Sequence, residues 1–166
     1  PERKLKLRPD GSLDYVYLPP RLEAHRLVED FMIMANVAAA ETLEHHHTPL
    51  IYRVHDEPSL EKLRGFKEVL ASIGFKMTLQ GALRPDFFNS ILKKIEGSPH
   101  QAFVNDVVLR SQAQAEYSND NYGHFGLNLA KYAHFTSPIR RYADLVVHRA
   151  LIRAFGLGDG GLTDKE

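Results

Sequence analysis

The sequence predicts an α+β fold in which mixed helices pack on a β-sheet. Two short alternating runs, at 4–7 and 13–18, flank a turn at Pro9, Asp10 and Gly11, and together they predict a β-hairpin. After the hairpin, apolar residues recur at helical spacing in several long segments. With 43% apolar and 25% charged residues among 166, the composition is that of a globular protein with a sizeable core.

The longest predicted helix runs from about residue 21 to residue 46, directly after Pro19 and Pro20. Its segment 31–40 is apolar on almost every side and is interrupted only by Asn36. A helix of this kind belongs in the middle of a domain. The hairpin before it is too small to be stable alone, so we expect it to join a larger sheet.

The middle of the chain predicts a strand and three helices. Residues 50–55 form a short apolar run typical of a buried strand. Helical patterns then cover 59–72, 85–95 and 99–112. An irregular connector is expected at 75–81, and an extended segment is expected around residue 117.

Residues 132–151 organise the remainder of the chain and read YAHFTSPIRRYADLVVHRAL. Ser137 suits a helix N-cap and Pro138 suits the first helical position, so a helix is predicted to begin there. Arg140 and Arg141 would then lie in its first turn. Helical spacing predicts a buried face made of Ile139, Tyr142, Ala143, Val146, Ala150 and Ala154.

Two arginines at a helix start are unusual, because that end already carries partial positive charge and unpaired amides. A phosphate bound at this end would offset the repulsion between the guanidinium groups. Alternatively, Arg140 and Arg141 both pair with acidic neighbours elsewhere in the fold. The residue pattern alone leaves both interpretations open.

The string HFTSPIRRYADLVVHR at 134–149 resembles the C-terminal signature of the catalytic domain of the ribonuclease II and ribonuclease R family. AHRLVEDFMIMANVAAA at 24–40, RVHDEPSLEKL at 53–63 and HFGL at 124–127 resemble further segments of that domain. These enzymes are processive, magnesium-dependent 3′-to-5′ exoribonucleases. The resemblance, strongest to ribonuclease R, implies an RNB-type α+β domain that hydrolyses RNA phosphodiester bonds and releases nucleoside 5′-monophosphates.

The resemblance also implies roles for particular residues. Arg140 matches the arginine associated with the phosphate at the cleavage site, so it is the expected catalytic residue. Asp30 matches an acidic position that contacts the ribose near the RNA 3′ end. The family usually has glutamate there, and the shorter aspartate would have to approach more closely or act through water. Ion pairs with Arg26 are the alternative explanation for Asp30 and its neighbour Glu29.

Five further residues are expected to contact the substrate: His124, Phe125, Ser137, Arg141 and Tyr142. Aromatic rings suit single-stranded RNA, whose bases stack on them, although packing into the core is the commoner use of a residue such as Phe125. Arg141 and Asp144 would steady Arg140. His55 and Asp56, at a strand end, have either a catalytic or a structural interpretation.

No metal site is predicted in this chain. Magnesium needs a convergent set of carboxylates, and the resemblance places the family's aspartate cluster upstream of the matched region. The candidate acids here do not form a group of three: Asp10 with Asp14, Asp56 with Glu57, and Glu116 with Asp120. We therefore expect Mg²⁺ ligands outside this chain, and we expect this fragment alone to be inactive.

Expected partners are the single-stranded 3′ end of RNA and a protein surface that covers the apolar helix. That surface would be the complementary N-terminal half of the catalytic domain or a second copy. The chain lacks an initiating methionine, and we expect it to be a piece of a longer protein. Its 21 basic and 21 acidic residues balance, so any RNA contact must be local.

Composition also bears on compartment and domain organisation. The absence of cysteine excludes disulfides and fits a cytoplasmic protein, and no apolar stretch is long enough to span a bilayer. Three regions are predicted: a hairpin at 1–18, the C-terminal part of the catalytic domain at 19–155, and a mobile glycine-rich tail at 156–166. The rival function is a non-catalytic RNA-binding or interaction module. A purely structural helical domain ranks last.

Overall fold

The computed structural model describes residues 3–75 and 84–165. Its described part contains five α-helices, one 3₁₀-helix and two antiparallel sheets of two strands each, so the predicted α+β class is confirmed. Most of the predicted connector at 75–81 lies outside the described residues. In chain order the elements are β1 (Lys4–Leu7), β2 (Leu13–Tyr17), α1 (Glu23–His45), β3 (Tyr52–Val54), α2 (Leu60–Ser72), α3 (Pro85–Lys94), α4 (Gln101–Ser111), β4 (Glu116–Ser118), the 3₁₀-helix (Phe125–Leu127) and α5 (Tyr142–Phe155).

Packing divides the chain into two units, Pro1–Met34 and Ala35–Glu166. The division falls inside α1, whereas the sequence predicted boundaries at residues 18 and 155. In the first unit, β1 and β2 form the predicted hairpin, and its turn closes where the Gly11 amide donates to the Arg8 carbonyl at 2.9 Å. Gly11 has a φ of 83°, which favours glycine.

The N-terminal half of α1 is exposed, which contradicts the predicted burial of the whole 31–40 segment. Phe31 is 62% and Met34 is 65% exposed to solvent, and Leu27 and Val28 are also exposed. The first buried residue of α1 is Asn36, which is only 3% exposed to solvent. The apolar residues in the N-terminal half of α1 therefore form an exposed hydrophobic surface.

One core of the second unit lies among α2, α3 and α4. The N-cap of α2 is Ser59, whose side chain accepts from the Lys62 amide at 3.3 Å. Leu60 and Phe103 are 74% and 48% exposed, and Val104 takes the inner position of α4. The buried residues are Leu63, Phe66, Leu70, Phe88, Ile91, Ile95, Val104 and Val108.

A second core joins the C-terminal half of α1 to α5. Small side chains allow close approach of the two helices, since interaxial distance depends on the residues in contact. Its buried residues are Ala39, Ala40, Leu43, Ala133, Val147 and Ala150.

Asn36 fixes the segment that leads to α5. Its Nδ2 donates to the Tyr132 hydroxyl at 2.9 Å, and its Oδ1 accepts from the amides of Phe135 at 2.8 Å and Thr136 at 3.3 Å. Residues 132–135 are held by these contacts and by one hydrogen bond from the Arg53 amide to the Tyr132 carbonyl at 2.8 Å. The residue that interrupts the apolar run is therefore the polar link between α1 and the segment before α5.

The glycine-rich tail contacts the end of α5. Gly156 ends the helix with a φ of 61°, and the Leu162 amide donates to the Arg149 carbonyl at 3.2 Å. Arg153 Nη2 donates to Asp164 Oδ1 at 2.6 Å. The predicted mobility of 156–166 remains a prediction. Among the described residues, no helix is both long enough and apolar enough to cross a membrane.

Candidate functional site

A turn at 137–141 precedes α5 and holds the two arginines. α5 begins at Tyr142 with Arg141 as its N-cap, so the prediction of Ser137 as N-cap and Pro138 as the first helical residue is wrong. The amides of Arg140 and Arg141 both donate to the Ser137 carbonyl, at 3.3 Å and 3.2 Å. These bonds close a separate turn and place both arginines before the helix instead of inside its first turn.

Asp144 holds this turn in place. Its side chain is fully buried, and its Oδ1 accepts from the Ser137 amide and from Arg141 Nη2, both at 2.7 Å. Burial raises the pKa of Asp144, but the hydrogen bonds from Arg141 and Ser137 outweigh that effect and lower the pKa overall. Asp144 is therefore an anion at neutral pH, and its place in the first turn of α5 suits the helix dipole.

Arg140 and Arg141 have different environments. Arg141 has a side chain only 20% exposed and pairs with Asp144, as the acidic-neighbour interpretation requires. Arg140 is exposed, and its Nη2 lies 3.4 Å from Ser137 Oγ. No carboxylate in the described part of the chain forms an ion pair with Arg140. The acidic-neighbour interpretation therefore holds for Arg141, whereas Arg140 carries a charge that is available to an anion.

Two apolar residues flank this charge on the surface. Ile139 is 103% exposed and Tyr142 is 74% exposed, so their predicted places on the buried face of the helix are wrong. On α5 the fully buried valine is Val147, and not Val146 as predicted. The inward face consists of Ala143, Asp144, Val147 and Ala150.

Of the catalytic and structural interpretations of His55, its hydrogen bonds support the structural one. The ring is buried, its Nδ1 accepts from the Gly126 amide at 2.7 Å, and its Nε2 donates to the Ala113 carbonyl at 2.9 Å. Both ring nitrogens are occupied, so His55 does not act as a base. His124 caps the 3₁₀-helix through its Nδ1, which accepts from the Leu127 amide at 3.2 Å.

Phe125 packs partly against the three-helix core, where its ring lies 6.3 Å from that of Phe88. His124 is half-buried and lines an open cavity of about 460 Å³ together with Asp56, Glu57 and Tyr122. The carboxylates there disfavour RNA phosphates. The structure thus brings Ser137, Arg141 and Tyr142 next to Arg140. His124 and Phe125 instead line the cavity that contains Asp56 and Glu57.

We predict that Gly126→Ala destabilises the fold by about 1–3 kcal/mol. An added Cβ would lie 2.8 Å from His55 Nδ1 and 2.9 Å from His55 Cε1, and that ring is fixed by two hydrogen bonds. Denaturant unfolding measures the change. Gly65→Ala is the matched control: nothing lies within 4 Å of its added Cβ in α2, so it should stabilise by about 0.5–1 kcal/mol. Equal effects of the two substitutions would contradict the packing described.

We predict that the protein loses stability as pH falls from 7 toward 4. Burial lowers the pKa of His124 and of His134 from 6.5 to about 4, aided by His55 and Arg53 for the former and by Arg141 and Arg53 for the latter. The unfolded chain therefore takes up these protons first, and folding stability declines below about pH 6.5. The lowered pKa of Asp144 acts in the same direction at still lower pH. A melting temperature that stayed constant between pH 7 and pH 4.5 would contradict this prediction.

The first unit holds Asp30 on the exposed part of α1. Arg26 forms its ion pair with Glu23 at 3.6 Å, and Arg21 pairs with Glu29, so the predicted pairing of Arg26 with Glu29 and Asp30 is not observed. No ion pair of Asp30 occurs among residues 3–75 and 84–165. Its carboxylate is thus available for another contact.

In the part of the chain that the structure describes, no group of three or more His, Cys, Asp or Glu residues could hold a metal ion. Residues 3–75 and 84–165 therefore do not fit a magnesium site. Sequence reasoning missed Asn36 as the support of the 132–136 segment. The sequence did contain an indication of this role, because Asn36 is the polar residue within an otherwise apolar run.

Comparison with known proteins gives three findings. A family model described as the RNB domain matches residues 1–156. Ribonuclease R of Aquifex aeolicus is 44% identical over 154 residues, which are 93% of this chain and 22% of that protein. The structure of Mycoplasma genitalium RNase R in complex with ribose-methylated single-stranded RNA superposes with a TM-score of 0.85 at 28% identity, covering 99% of this chain and 26% of that one.

A second structure, that of yeast Ssd1, described as a pseudonuclease, superposes with a TM-score of 0.70 at 25% identity, and the match covers 87% of this chain and 18% of the Ssd1 chain. The chain spans about a fifth of the length of the curated relatives it matches, 22% and 18% for the first two.

Proposed function

The chain belongs to the RNB domain family, and from this premise we propose that it is part of a processive 3′-to-5′ exoribonuclease. The enzyme would hydrolyse RNA phosphodiester bonds and release nucleoside 5′-monophosphates. This piece would supply contacts to the phosphate and the ribose at the 3′ end. The similarity to ribonuclease R and to a ribonuclease R structure with single-stranded RNA supports the proposal.

The observation that carries the proposal is the difference between the two adjacent arginines. Asp144 neutralises Arg141, which leaves Arg140 as an exposed cation at the tip of a turn held by buried contacts. A planar guanidinium donates parallel hydrogen bonds that match phosphate oxygens. In the proposed reaction, Arg140 stabilises the negative charge that grows on these oxygens in the transition state.

Neighbouring residues would position Arg140. The Ser137 hydroxyl lies 3.4 Å from Arg140 Nη2, and the Ser137 amide is bound by Asp144, so the turn has a defined conformation before RNA arrives. Arg141 and Asp144 act through this conformation. Arg141 and Ser137 are also candidates for direct contact with the RNA backbone, as is Tyr142 through its exposed ring.

We assign Asp30 to the ribose near the 3′ end, where a carboxylate accepts hydrogen bonds from hydroxyl groups and helps to distinguish RNA from DNA. Its exposed position and the lack of a described ion-pair partner support this role. His124 and Phe125 remain weaker candidates for substrate contact, because one caps a 3₁₀-helix and the other packs partly in the core.

Magnesium belongs to the proposal as a cofactor of the complete enzyme. Since the described residues do not fit a magnesium site, we place its ligands outside them, and the 166-residue chain alone should not cleave RNA. The exposed surface of Leu27, Val28, Phe31 and Met34 would be covered by the complementary part of the catalytic domain or by a second copy. A cytoplasmic location fits a chain without cysteine.

The proposal is tested with single-stranded RNA labelled at its 5′ end and incubated with the complete encoded protein and Mg²⁺. The expected result is loss of the full-length RNA with release of nucleoside 5′-monophosphates and little accumulation of intermediate lengths, because a processive enzyme degrades each bound strand before it binds another. The same assay on the 166-residue chain should give no product. Release of oligonucleotides, or shortening from the 5′ end, would contradict the proposed activity.

A non-catalytic RNA-binding module is the second candidate. The similarity to yeast Ssd1, described as a pseudonuclease, favours it, because the same fold occurs there in a protein that carries that description. Under this alternative, the complete protein binds single-stranded RNA but leaves its length unchanged with Mg²⁺ present. The nuclease assay therefore separates the two candidates directly.

A further inference from the structure

We propose that a cavity between β3, β4 and the start of α5 binds a nucleobase of the same RNA strand whose phosphate contacts Arg140. The inference rests on the proposed function and adds a base-binding site to it. The cavity measures about 410 Å³ and lies in the second unit. Its walls are Ile51, Tyr117, Arg141, Tyr142 and Ala143.

Tyr117 is the expected stacking surface. Its side chain is 44% exposed, and its hydroxyl forms a 2.8 Å hydrogen bond with His134 Nδ1. On the paired strand, Arg53 places its Cζ 4.8 Å from the centre of the Tyr117 ring. The ring is thus held by two contacts before any ligand binds, which lowers the entropy lost on binding.

The remaining walls suit a flat aromatic ligand. Ile51 and Ala143 provide apolar surface, and Tyr142 adds a second ring that is 74% exposed. Bases of single-stranded RNA stack on such rings whatever their sequence, because every base has a π-face. A base would therefore be bound through stacking and apolar contact, and no particular nucleotide would be required.

The charges around the cavity favour RNA over a covering protein segment. Arg140 directly precedes Arg141, a wall residue, and carries an uncompensated charge. Arg53 stacks on Tyr117, and in the described residues no carboxylate forms an ion pair with it. An apolar protein segment that filled the cavity and extended over Arg140 would remove that charge from water without a counter-charge from the described residues, which is costly. An RNA strand would place negatively charged phosphates beside this charge as well as a base in the cavity.

The proposed site joins a phosphate contact and a base contact through one turn. Arg140 and Tyr142 are two residues apart, so backbone and base of neighbouring nucleotides would be bound by the same short segment. Tyr117 would then fix the 3′-terminal bases next to the phosphate that Arg140 contacts. The two contacts are chemically distinct, since one is electrostatic and the other is stacking.

The test measures binding of single-stranded RNA carrying 2-aminopurine at each of the last few positions in turn. The complete protein is used, with the metal chelated so that no cleavage occurs. Stacking on Tyr117 should quench the fluorescence at one position. Tyr117→Ala should abolish that quenching and weaken binding by about five- to a hundredfold, the usual range for loss of a stacked base. Tyr117→Phe keeps the ring and should retain most of the affinity.

Tyr122→Ala is the matched control. Tyr122 has nearly the same exposure, 46%, but bonds to Glu116 beside a different cavity. It should change the affinity less than about twofold, because Tyr122 does not line the proposed base-binding cavity. Tyr142→Ala is the second test variant, because a side chain that is 74% exposed can be removed without loss of folding. It should weaken binding and reduce the quenching.

Three outcomes would overturn a part of the account, and they are distinguishable. If Tyr117→Ala and Tyr142→Ala bind and quench like the wild type while Arg140→Ala binds weakly, the base site is wrong and the proposed function stands. If the two tyrosine variants lower the melting temperature without changing RNA affinity, the cavity is covered by protein. If Arg140→Ala also binds like the wild type, the proposed phosphate contact fails.

Discussion

Replacing Arg140 by alanine is expected to lower the turnover of the complete protein on single-stranded RNA by about 10²- to 10³-fold, the usual effect of removing one preorganised donor to a transition-state oxyanion. The guanidinium is exposed and no described carboxylate competes for it, so its full charge is available to the phosphate. Single-turnover kinetics measure the effect without interference from product release. Stability should change little, because the side chain buries no core surface.

Two control variants sharpen this result. Arg140→Lys keeps the charge but loses the planar fork of donors, so its turnover should lie between those of the wild type and Arg140→Ala. Arg110→Ala removes another exposed arginine, one that pairs with Asp106 on α4 at 2.9 Å, and it should leave turnover unchanged. A loss of about tenfold or less for Arg140→Ala, with binding unchanged, would contradict the catalytic role.

Asp144→Asn is expected to destabilise the protein by about 3–5 kcal/mol, the range for breaking a buried ion pair by removing one partner. The shape of the side chain is retained, but Arg141 keeps a charge that is only 20% exposed and loses its counter-ion. The Ser137 amide also loses a charged acceptor at 2.7 Å. Denaturant unfolding of the variant and the wild type gives the difference in free energy.

The matched control for this substitution is Asp164→Asn. Arg153 and Asp164 pair at 2.6 Å with the same atom types, but Asp164 is 89% exposed. An exposed pair contributes about 0–1 kcal/mol, so the control should be nearly neutral. Similar free-energy changes for the two variants would show that burial does not decide the strength of the Asp144 pair. The turn that carries Arg140 would then lack its proposed support.

Local patterns predicted the elements of the fold well. The hairpin turn at residue 11 and the order of the five helices follow from periodicity and turn chemistry, which act over a few residues. Family resemblance added what periodicity does not contain, namely the expectation that Arg140 and Asp30 contact RNA.

Long-range contacts account for what sequence reasoning missed. The pattern around Ser137 and Pro138 is a good helix start, but Asp144 binds the Ser137 amide and closes a separate turn instead. That competition depends on the burial of Asp144, which local sequence does not encode. The bond from the Phe135 amide to Asn36 Oδ1 spans 99 residues and is equally invisible to a local reading. Exposure of Phe31 likewise depends on which segments cover α1.

The most direct test of the central claim, that Arg140 contacts an RNA phosphate, is the salt dependence of binding. The logarithm of the binding constant for single-stranded RNA is measured against the logarithm of salt concentration for the complete protein and for Arg140→Ala, with the metal chelated. Loss of one phosphate contact on a single strand should make the slope shallower by about 0.7. A slope that is identical in the two proteins would show that Arg140 contacts no phosphate and would contradict the account.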